Sequence, residues 1–293
     1  MKLYNAIKFL LEKIENSISH ELSIEYLANN TGISQIHLQR IFKLAFGIPL
    51  ARYIRLRKLS VSVKRLAFLD NRIIDIANEV GFEHEQSYIR AFKREFYVTP
   101  GQFRKSGTVI KTMPPFTINE FTHTSEGLFS VPDIVVMPEI YLIGKENYIS
   151  YEESFEKAPR VAREFWENDR IKIKNAVNKD IYFGLTDFDK MIALDVYYLS
   201  GVQVTDIKKV PSGLSSDRLP PAEYLRFCYI GKHHYYDLNR EVTDEMFKSI
   251  DEYIQRNTKH VIERTIFFER VDTAKYDGTY CYLEWFTPVS EKT

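Results

Sequence analysis

The sequence predicts an all-α N-terminal domain, built as two helix-turn-helix units joined by a long helix, and then an α+β C-terminal domain. Three observations predict it. Residues 1–105 read as helices throughout, with apolar residues at helical spacing and capping residues between them. A pattern within that half recurs at an offset of 49 residues before its turn and 50 after it. Beyond a stretch rich in Ser, Thr, Gly and Pro, strand-like runs dense in Tyr, Phe, Val and Ile are interrupted by two amphipathic segments.

The first helix is read from Leu3, Ile7, Leu10, Leu11, Ile14 and Ile18, which share one face while Glu12, Lys13 and Glu15 interrupt them. That spacing is wrong for a signal peptide. Ser23 caps a short helix to Asn30, and a turn at Thr31–Gly32 leads to a helix capped by Ser34 that runs to Phe46. Gly47 and Pro49 break the chain ahead of a long helix over Leu50–Leu69. After Asp70 and Asn71 come a short helix over Arg72–Val80, a turn at Gly81, and a helix over His84–Phe96. Thr99 before Pro100 is an N-cap followed by proline at the first helical position, opening a last turn to Arg104. The N-terminal domain is therefore set at 1–107 and a linker at 108–130, part of which can form a strand, with the C-terminal domain over 131–293.

In that last region the strand-like runs are Asp133–Ile149, Asp180–Thr186, Met191–Val204, Ala222–Gly231, Ile262–Asp272 and Thr279–Pro288. Ser154–Asn168 and Leu238–Arg256 read as helices. The order strand, helix, strand, strand thus occurs twice, which predicts an internally duplicated domain.

Charge and cysteine usage narrow the function classes. The chain of 293 residues has no net charge, but residues 1–107 hold 17 Lys and Arg against 10 Asp and Glu, and the remainder holds 23 against 30. A basic half suits a polyanion; an acidic half is repelled by one and attracts cations. Cys228 and Cys281, far apart in sequence and without a Cys-x-x-Cys, exclude cysteine-rich structural zinc and fit a reducing cytoplasm. No apolar run is long enough for a membrane span, so no membrane partner is expected.

The repeat carries the argument for function. Ala28-Asn-Asn-Thr-Gly32 matches Ala77-Asn-Glu-Val-Gly81, Arg40-Ile-Phe-Lys43 matches Arg90-Ala-Phe-Lys93, and Phe46 matches Phe96. A small alanine lets a second helix cross closely, and a glycine accepts the left-handed backbone of the turn. The second helix of each unit then points polar residues outward near its N-terminus, the end that enters a major groove. These are Ser34, Gln35, Gln39, Arg40 and Lys43 in one unit, and Glu85, Gln86, Ser87, Arg90, Lys93 and Arg94 in the other. Arginine reads guanine and glutamine reads adenine, each through two hydrogen bonds. Lysine and small hydroxyls suit phosphates.

Residues 8–105 resemble the AraC/XylS-type DNA-binding domain, most specifically over IIDIANEVGFEHEQSYIRAFKREFYVTPGQFRK, residues 73–105. The resemblance implies that the two recognition helices enter successive major-groove segments about 34 Å apart on one face of double-stranded DNA. It assigns Ile36, Gln39 and Arg40, then Glu85, Gln86, Ser87 and Arg90, as base-facing. Two positions depart from the family. Tyr97 replaces a usual glycine, which puts that helix end in doubt. Glu85 adds a carboxylate to a DNA-facing surface, where it accepts from cytosine N4, repels wrong registers, or pairs with Arg90.

The C-terminal region has no P-loop, no GxGxxG and no Gly-x-Ser-x-Gly, so no catalytic residues are assigned. Adjacent His233 and His234 point to opposite faces of a strand, against a shared metal; no metal or cofactor is expected. Of 41 aromatic residues, 28 lie beyond residue 107. Glu284 stands in the apolar run Tyr280–Phe286, where a carboxylate needs a partner. With Tyr282 and Phe286 on its face it meets a lipophilic cation by charge and cation–π contact; the alternative is a structural glutamate bonded to a neighbouring tyrosine or arginine.

Residues 131–290 also resemble the GyrI-like effector-binding domain, through Tyr182-Phe-Gly184, Tyr197–Val204 with Gly201, Pro220-Pro-Ala-Glu-Tyr-Leu-Arg-Phe227, and Phe268-Glu269 with Leu283–Pro288. This resemblance implies a duplicated strand-helix-strand-strand fold with an antiparallel sheet and a ligand cleft between the halves. It places Glu284 and Glu269 at the cleft, with Tyr224 and Trp166 as walls. The reading is a cytoplasmic DNA-binding transcription regulator, not an enzyme, with activation as the expected direction of control. Its partners are promoter DNA, RNA polymerase and a small-molecule effector. The rival readings are a C-terminal domain that binds a protein partner, and a GyrI-like hydrolase fused to a DNA-binding domain.

Overall fold

In the N-terminal unit each helix forms where apolar spacing and caps coincide. The computed structural model describes residues 3–19, 22–106, 108–118, 121–256, 260–263 and 265–291, and divides into two units between residues 119 and 120. α1 (Leu3–Asn16) buries its single apolar face. α2 (Ile24–Thr31) begins at Ser23, whose hydroxyl accepts from the Tyr26 N–H, and ends at Gly32 with φ +68°. α3 (Gln35–Phe46) begins at Ser34 and ends at Gly47 with φ +73°. α4 (Leu50–Phe68) follows, then α5 (Ile73–Glu79), α6 (Glu85–Phe96) and α7 (Pro100–Ser106). Thr99 and Gln102 cap α7 reciprocally, each side chain accepting from the other's backbone N–H at 3.2 and 2.9 Å.

α4 is buried on more than one side because both helix-turn-helix units lie against it. Its later half joins α5, α6 and α7 around Leu59, Val63, Tyr88 and Phe92. Its first half joins Phe42 and Phe46 of α3 through Tyr53. Arg57, almost fully buried, donates to Glu15 of α1 at 2.7 and 2.8 Å and to the Met113 carbonyl. A buried guanidinium is tolerated only with such partners.

The stretch 108–130, read as a linker that can hold a strand, packs through several of its described residues. Residues 108–118 pack on the helical unit: the Phe116 ring stacks on Tyr53 and Phe46 at 4.6 and 4.7 Å, and its N–H donates to the Tyr53 hydroxyl. Residues 121–130 supply two strands to the second unit, β1 (Phe121–His123) and β2 (Gly127–Ser130). Composition marked the stretch as a breaker of helix, but Phe116 stacks in the helical unit and Phe121, Leu128 and Phe129 are buried in the second.

The second unit continues with β3 (Asp133–Met137), β4 (Ile140–Ser150), α8 (Ser154–Glu164, extended by one wider turn to Asp169), β5 (Ile181–Ile192), β6 (Asp195–Val204), β7 (Ser215–Leu219), β8 (Ala222–Gly231), α9 (Arg240–Arg256), β9 (His260–Ile262), β10 (Ile266–Asp272) and β11 (Cys281–Glu291). One antiparallel sheet runs β1-β2-β8-β11-β10-β5-β6-β4-β7, with β3 also on β8 and β9 also on β11. The two strand-helix-strand-strand repeats, β4-α8-β5-β6 and β8-α9-β10-β11, meet back to back at the β5–β10 pair. The duplication read in the sequence therefore becomes a twofold-like sheet.

Three strand boundaries differ from expectation. Pro138 splits Asp133–Ile149 into β3 and β4 because it lacks the N–H that a central ladder needs. β5 runs on to Ile192 and turns at Ala193 (φ +55°) into β6, so the run from Met191 is a hairpin tip. β7, Ser-Ser-Asp-Arg-Leu, has too little apolar character to be anticipated. One sheet face packs α8 and α9 around Phe165, Trp166, Tyr182, Met246 and Trp285; the other buries Leu142, Phe183, Tyr224, Phe268 and Phe286.

Candidate nucleic-acid interface and ligand cleft

In both helix-turn-helix units the inner face of the second helix is tied down and the outer face is left to solvent. Leu38, Ile41 and Phe42 of α3 are buried, as are Tyr88, Ala91 and Phe92 of α6. Gly32 and Gly81 take φ +68° and +71° at the two turns. Ala28 and Ala77 are buried ahead of them. On the outer faces Ser34, Gln35, Gln39 and Lys43 are exposed on α3, and Gln86, Arg90, Lys93 and Arg94 on α6. Arg40, Glu85 and Ser87 are half-exposed. Ile36 is 77% exposed, an apolar residue with nothing covering it.

Arg90 leans to the Ser87 hydroxyl at 3.5 Å, which is where its guanidinium rests in place of the pairing considered with Glu85. Glu85 opens α6, where a carboxylate complements the positive end of the helix. Tyr97 resolves the doubt about its helix end. It caps α6 with φ +62° and ψ +3°, close to the +73° and −7° of Gly47 at the matching end of α3. The geometry of the two units is thus preserved, with a side chain held in the left-handed region.

In the second unit, α8 and α9 stand over the sheet and leave a cleft of about 680 Å³. Phe155 and Pro159 of α8 and Phe247 and Ile250 of α9 line its walls. Gly184, Tyr198, Glu269 and Trp285 line its floor. Glu269 Oε1 accepts from the Tyr198 hydroxyl at 3.1 Å, and Oε2 from Trp285 Nε1 at 3.4 Å. Both donors are neutral, and among the described residues no cation lies within ion-pair distance of it. Burial pushes the Glu269 pKa upward against the help of those two hydrogen bonds. Gly184, directly opposite Glu269 in the ladder, leaves the room: a Cβ there would stand 2.4 Å from both Glu269 Oε1 and the Tyr198 hydroxyl oxygen.

Of the six effector residues expected, Glu269 alone lines this cleft. Glu284 faces the other side of the sheet, since successive strand residues alternate and Trp285 takes the cleft side. Its side chain is 8% exposed and bonded to Arg270 at 2.5 Å, to Arg226 at 3.5 Å and to the Tyr282 hydroxyl at 3.2 Å. The structural alternative holds there. The Tyr282 hydroxyl also lies 3.2 Å from the Cys228 sulfur. Tyr224 donates to the Pro220 carbonyl, and Phe286 stacks on Phe268 in the opposite core. Trp166 packs on Tyr182 beneath α8. Sequence reasoning missed Tyr198, Gly184 and Trp285 as partners of Glu269; the signal was the cross-strand register, which a linear reading does not contain.

Residues 27–106 match the family described as a helix-turn-helix domain. Residues 133–289, more than half of the chain, match the family described as integron-associated effector binding protein. The probable transcription factor PqrA of Proteus vulgaris is 37% identical over 110 residues, 37% of this chain and 90% of that protein. The chain belongs to the AraC-type family of transcriptional regulators. This AraC-type chain carries its effector-binding family domain C-terminal to the DNA-binding one. The transcriptional regulator Rob of Salmonella typhimurium is 37% identical over 118 residues, 40% of this chain and 41% of Rob. The HTH-type transcriptional activator AarP of Providencia stuartii is 34% identical over 102 residues, 35% of this chain and 76% of AarP. The match thus spans less than half the length of Rob.

Proposed function

We propose that the chain is a promoter-reading transcription activator whose C-terminal cleft senses a lipophilic organic cation. The observation that carries the effector half is Glu269: a buried carboxylate with two neutral donors, at the floor of an aromatic cleft. An unpaired buried carboxylate is costly, and a cation that enters removes the cost. Trp285 and Phe247 offer their rings to the same cation. Because burial favours the protonated acid, a cation must displace the proton, so affinity rises with pH.

At the DNA, Arg40 and Arg90 suit guanine, Gln39 and Gln86 suit adenine, and Ile36 suits the thymine methyl. Ser34, Gln35, Ser87, Lys43, Lys93 and Arg94 suit phosphates and sugars, and Glu85 suits cytosine N4. The outward exposure of these side chains supports the assignment. AarP, by its name an activator, supports activation, with RNA polymerase as the expected partner in the cytoplasm. Regulation requires that the cation bind two states of the chain with different affinity.

The test is a thermal-shift screen of aromatic and quaternary-ammonium cations beside their neutral isosteres. Stabilisation by cations alone, lost in Glu269→Gln and kept in Glu284→Gln, is the expected result. A hit that survives Glu269→Gln, or a panel with no hit, contradicts the cleft as a cation sensor.

A further inference from the structure

Three arginines gather where the connecting helix meets the end of the second recognition helix. Arg52 and Arg55 lie one turn apart on α4 and share a side of it. Arg52 Nη2 stands 3.9 Å from Glu95 Oε1, which pins the first turn of α4 beside the last turn of α6. Arg94 belongs to that last turn. Arg55 feels the charges of Arg94, Glu95 and Arg52, so the three guanidinium groups and the one carboxylate share a neighbourhood.

The fold itself gains little from this arrangement. Arg52 is in the first turn of a 19-residue helix whose N-cap, Pro49, makes no side-chain hydrogen bond and whose first turn holds no acidic residue. A cation there opposes the helix dipole. Arg55 is half-buried, and its pKa is lowered by burial first and then by the fields of Arg94 and Arg52, with Glu95 opposing. Among the described residues, Arg55 and Arg94 have no carboxylate within ion-pair distance. Three like charges gathered around one carboxylate leave a positive surplus that suits an external anion.

Resting on the DNA-binding reading of the helical unit, we propose that Arg52, Arg55 and Arg94 clamp a backbone phosphodiester of the duplex and read no base. A recognition helix reads with its N-terminal residues, so its far end leaves the base edges and meets the backbone. Guanidinium forks match a phosphate through paired hydrogen bonds. Glu95 holds Arg52 in place before the phosphate arrives. The clamp fixes α4, and hence the spacing of the two reading units, on the DNA.

The experiment is fluorescence anisotropy of the full chain on a short labelled duplex of arbitrary sequence, from about 50 to about 200 mM salt. The parent is compared with the double variant Arg52→Gln and Arg55→Gln, whose side chains keep their stems for packing. Lys64→Ala, an exposed charge further along α4, controls for net charge. The double variant is expected to bind about tenfold more weakly, with the slope of log affinity against log salt shallower by about 1 per phosphate lost. Lys64→Ala is expected to keep the parental slope. A double variant with the parental slope, or a Lys64→Ala slope reduced as far, overturns the clamp alone. A parent that binds no duplex at low salt overturns the DNA-binding reading together with the clamp.

Discussion

Glu269 and Glu284 stand on neighbouring strands and face opposite sides of the sheet. Two arginines neutralise Glu284; two neutral donors hold Glu269. Only the second is left for a ligand to neutralise. The folded pKa of Glu269 lies above its ordinary 4.5, so between those values the fold holds a proton that the unfolded chain has lost. Stability drawn from Glu269 is thus present at low pH and falls as pH rises through that window. Melting temperature measured against pH is expected to fall more steeply in the parent than in Glu269→Gln, with the curves converging in acid. Gly184→Ala is expected to cost about 1–3 kcal/mol and to abolish cation-dependent stabilisation, because its Cβ meets Glu269 and Tyr198 at 2.4 Å. Chemical denaturation checks the first and the thermal-shift panel the second. In the sequence Glu284 stands out as a carboxylate in apolar company, whereas Glu269 enters only through the resemblance to the effector-binding family. The sequence did not rank them, because their partners Arg226, Arg270, Tyr198 and Gly184 come from strands far along the chain.

The helices were legible element by element because their signals are local. Ser23, Ser34 and Thr99 cap where their positions predict, and Gly32, Gly47 and Gly81 turn the chain with positive φ. The strands were less so, since pairing partners decide where they stop: Pro138 divides one run, and β7 exists because β4 offers it an edge. Tyr97 breaks the local rule and keeps the geometry. Its ring is 87% exposed, so Tyr97→Gly forfeits no burial and relieves the left-handed backbone. The expected gain is about 1 kcal/mol, read as a higher melting temperature with DNA affinity retained. The strap over 108–118 is the element that composition misjudged. Phe116→Ala removes a ring stacked between Phe46 and Tyr53 and is expected to destabilise the helical unit by about 2 kcal/mol. A fragment ending at residue 107 should melt earlier than one ending at 118; equal melting would show that the strap contributes nothing.

Across the whole molecule, the basic and acidic parts of the sequence fall in different structural units. The basic first 107 residues lie in the helical unit with its outward-facing Arg, Lys and Gln, and the acidic remainder, apart from the strap over 108–118, supplies a sheet with a cleft that has a carboxylate on its floor. Among the described residues no helix is long and apolar enough to cross a membrane, and no group of three His, Cys, Asp or Glu is placed to hold a metal. A cation that binds only the folded cleft stabilises the fold by about 2.7 kcal/mol at a hundred times its Kd, and it shifts a pair of folded states only by the difference in its affinity for the two. On the proposed function the chain reads a specific DNA site with α3 and α6. Selection of random duplex DNA by the full chain at about 150 mM salt, followed by sequencing, tests it most directly, since at that salt phosphate contacts alone hold no sequence in preference. The expected result is two short motifs about one helical turn apart, with Arg40→Ala and Arg90→Ala each weakening one of them by about 1–3 kcal/mol. No enriched motif, from the full chain with and without a cleft-binding cation and from residues 1–118 alone, would contradict it.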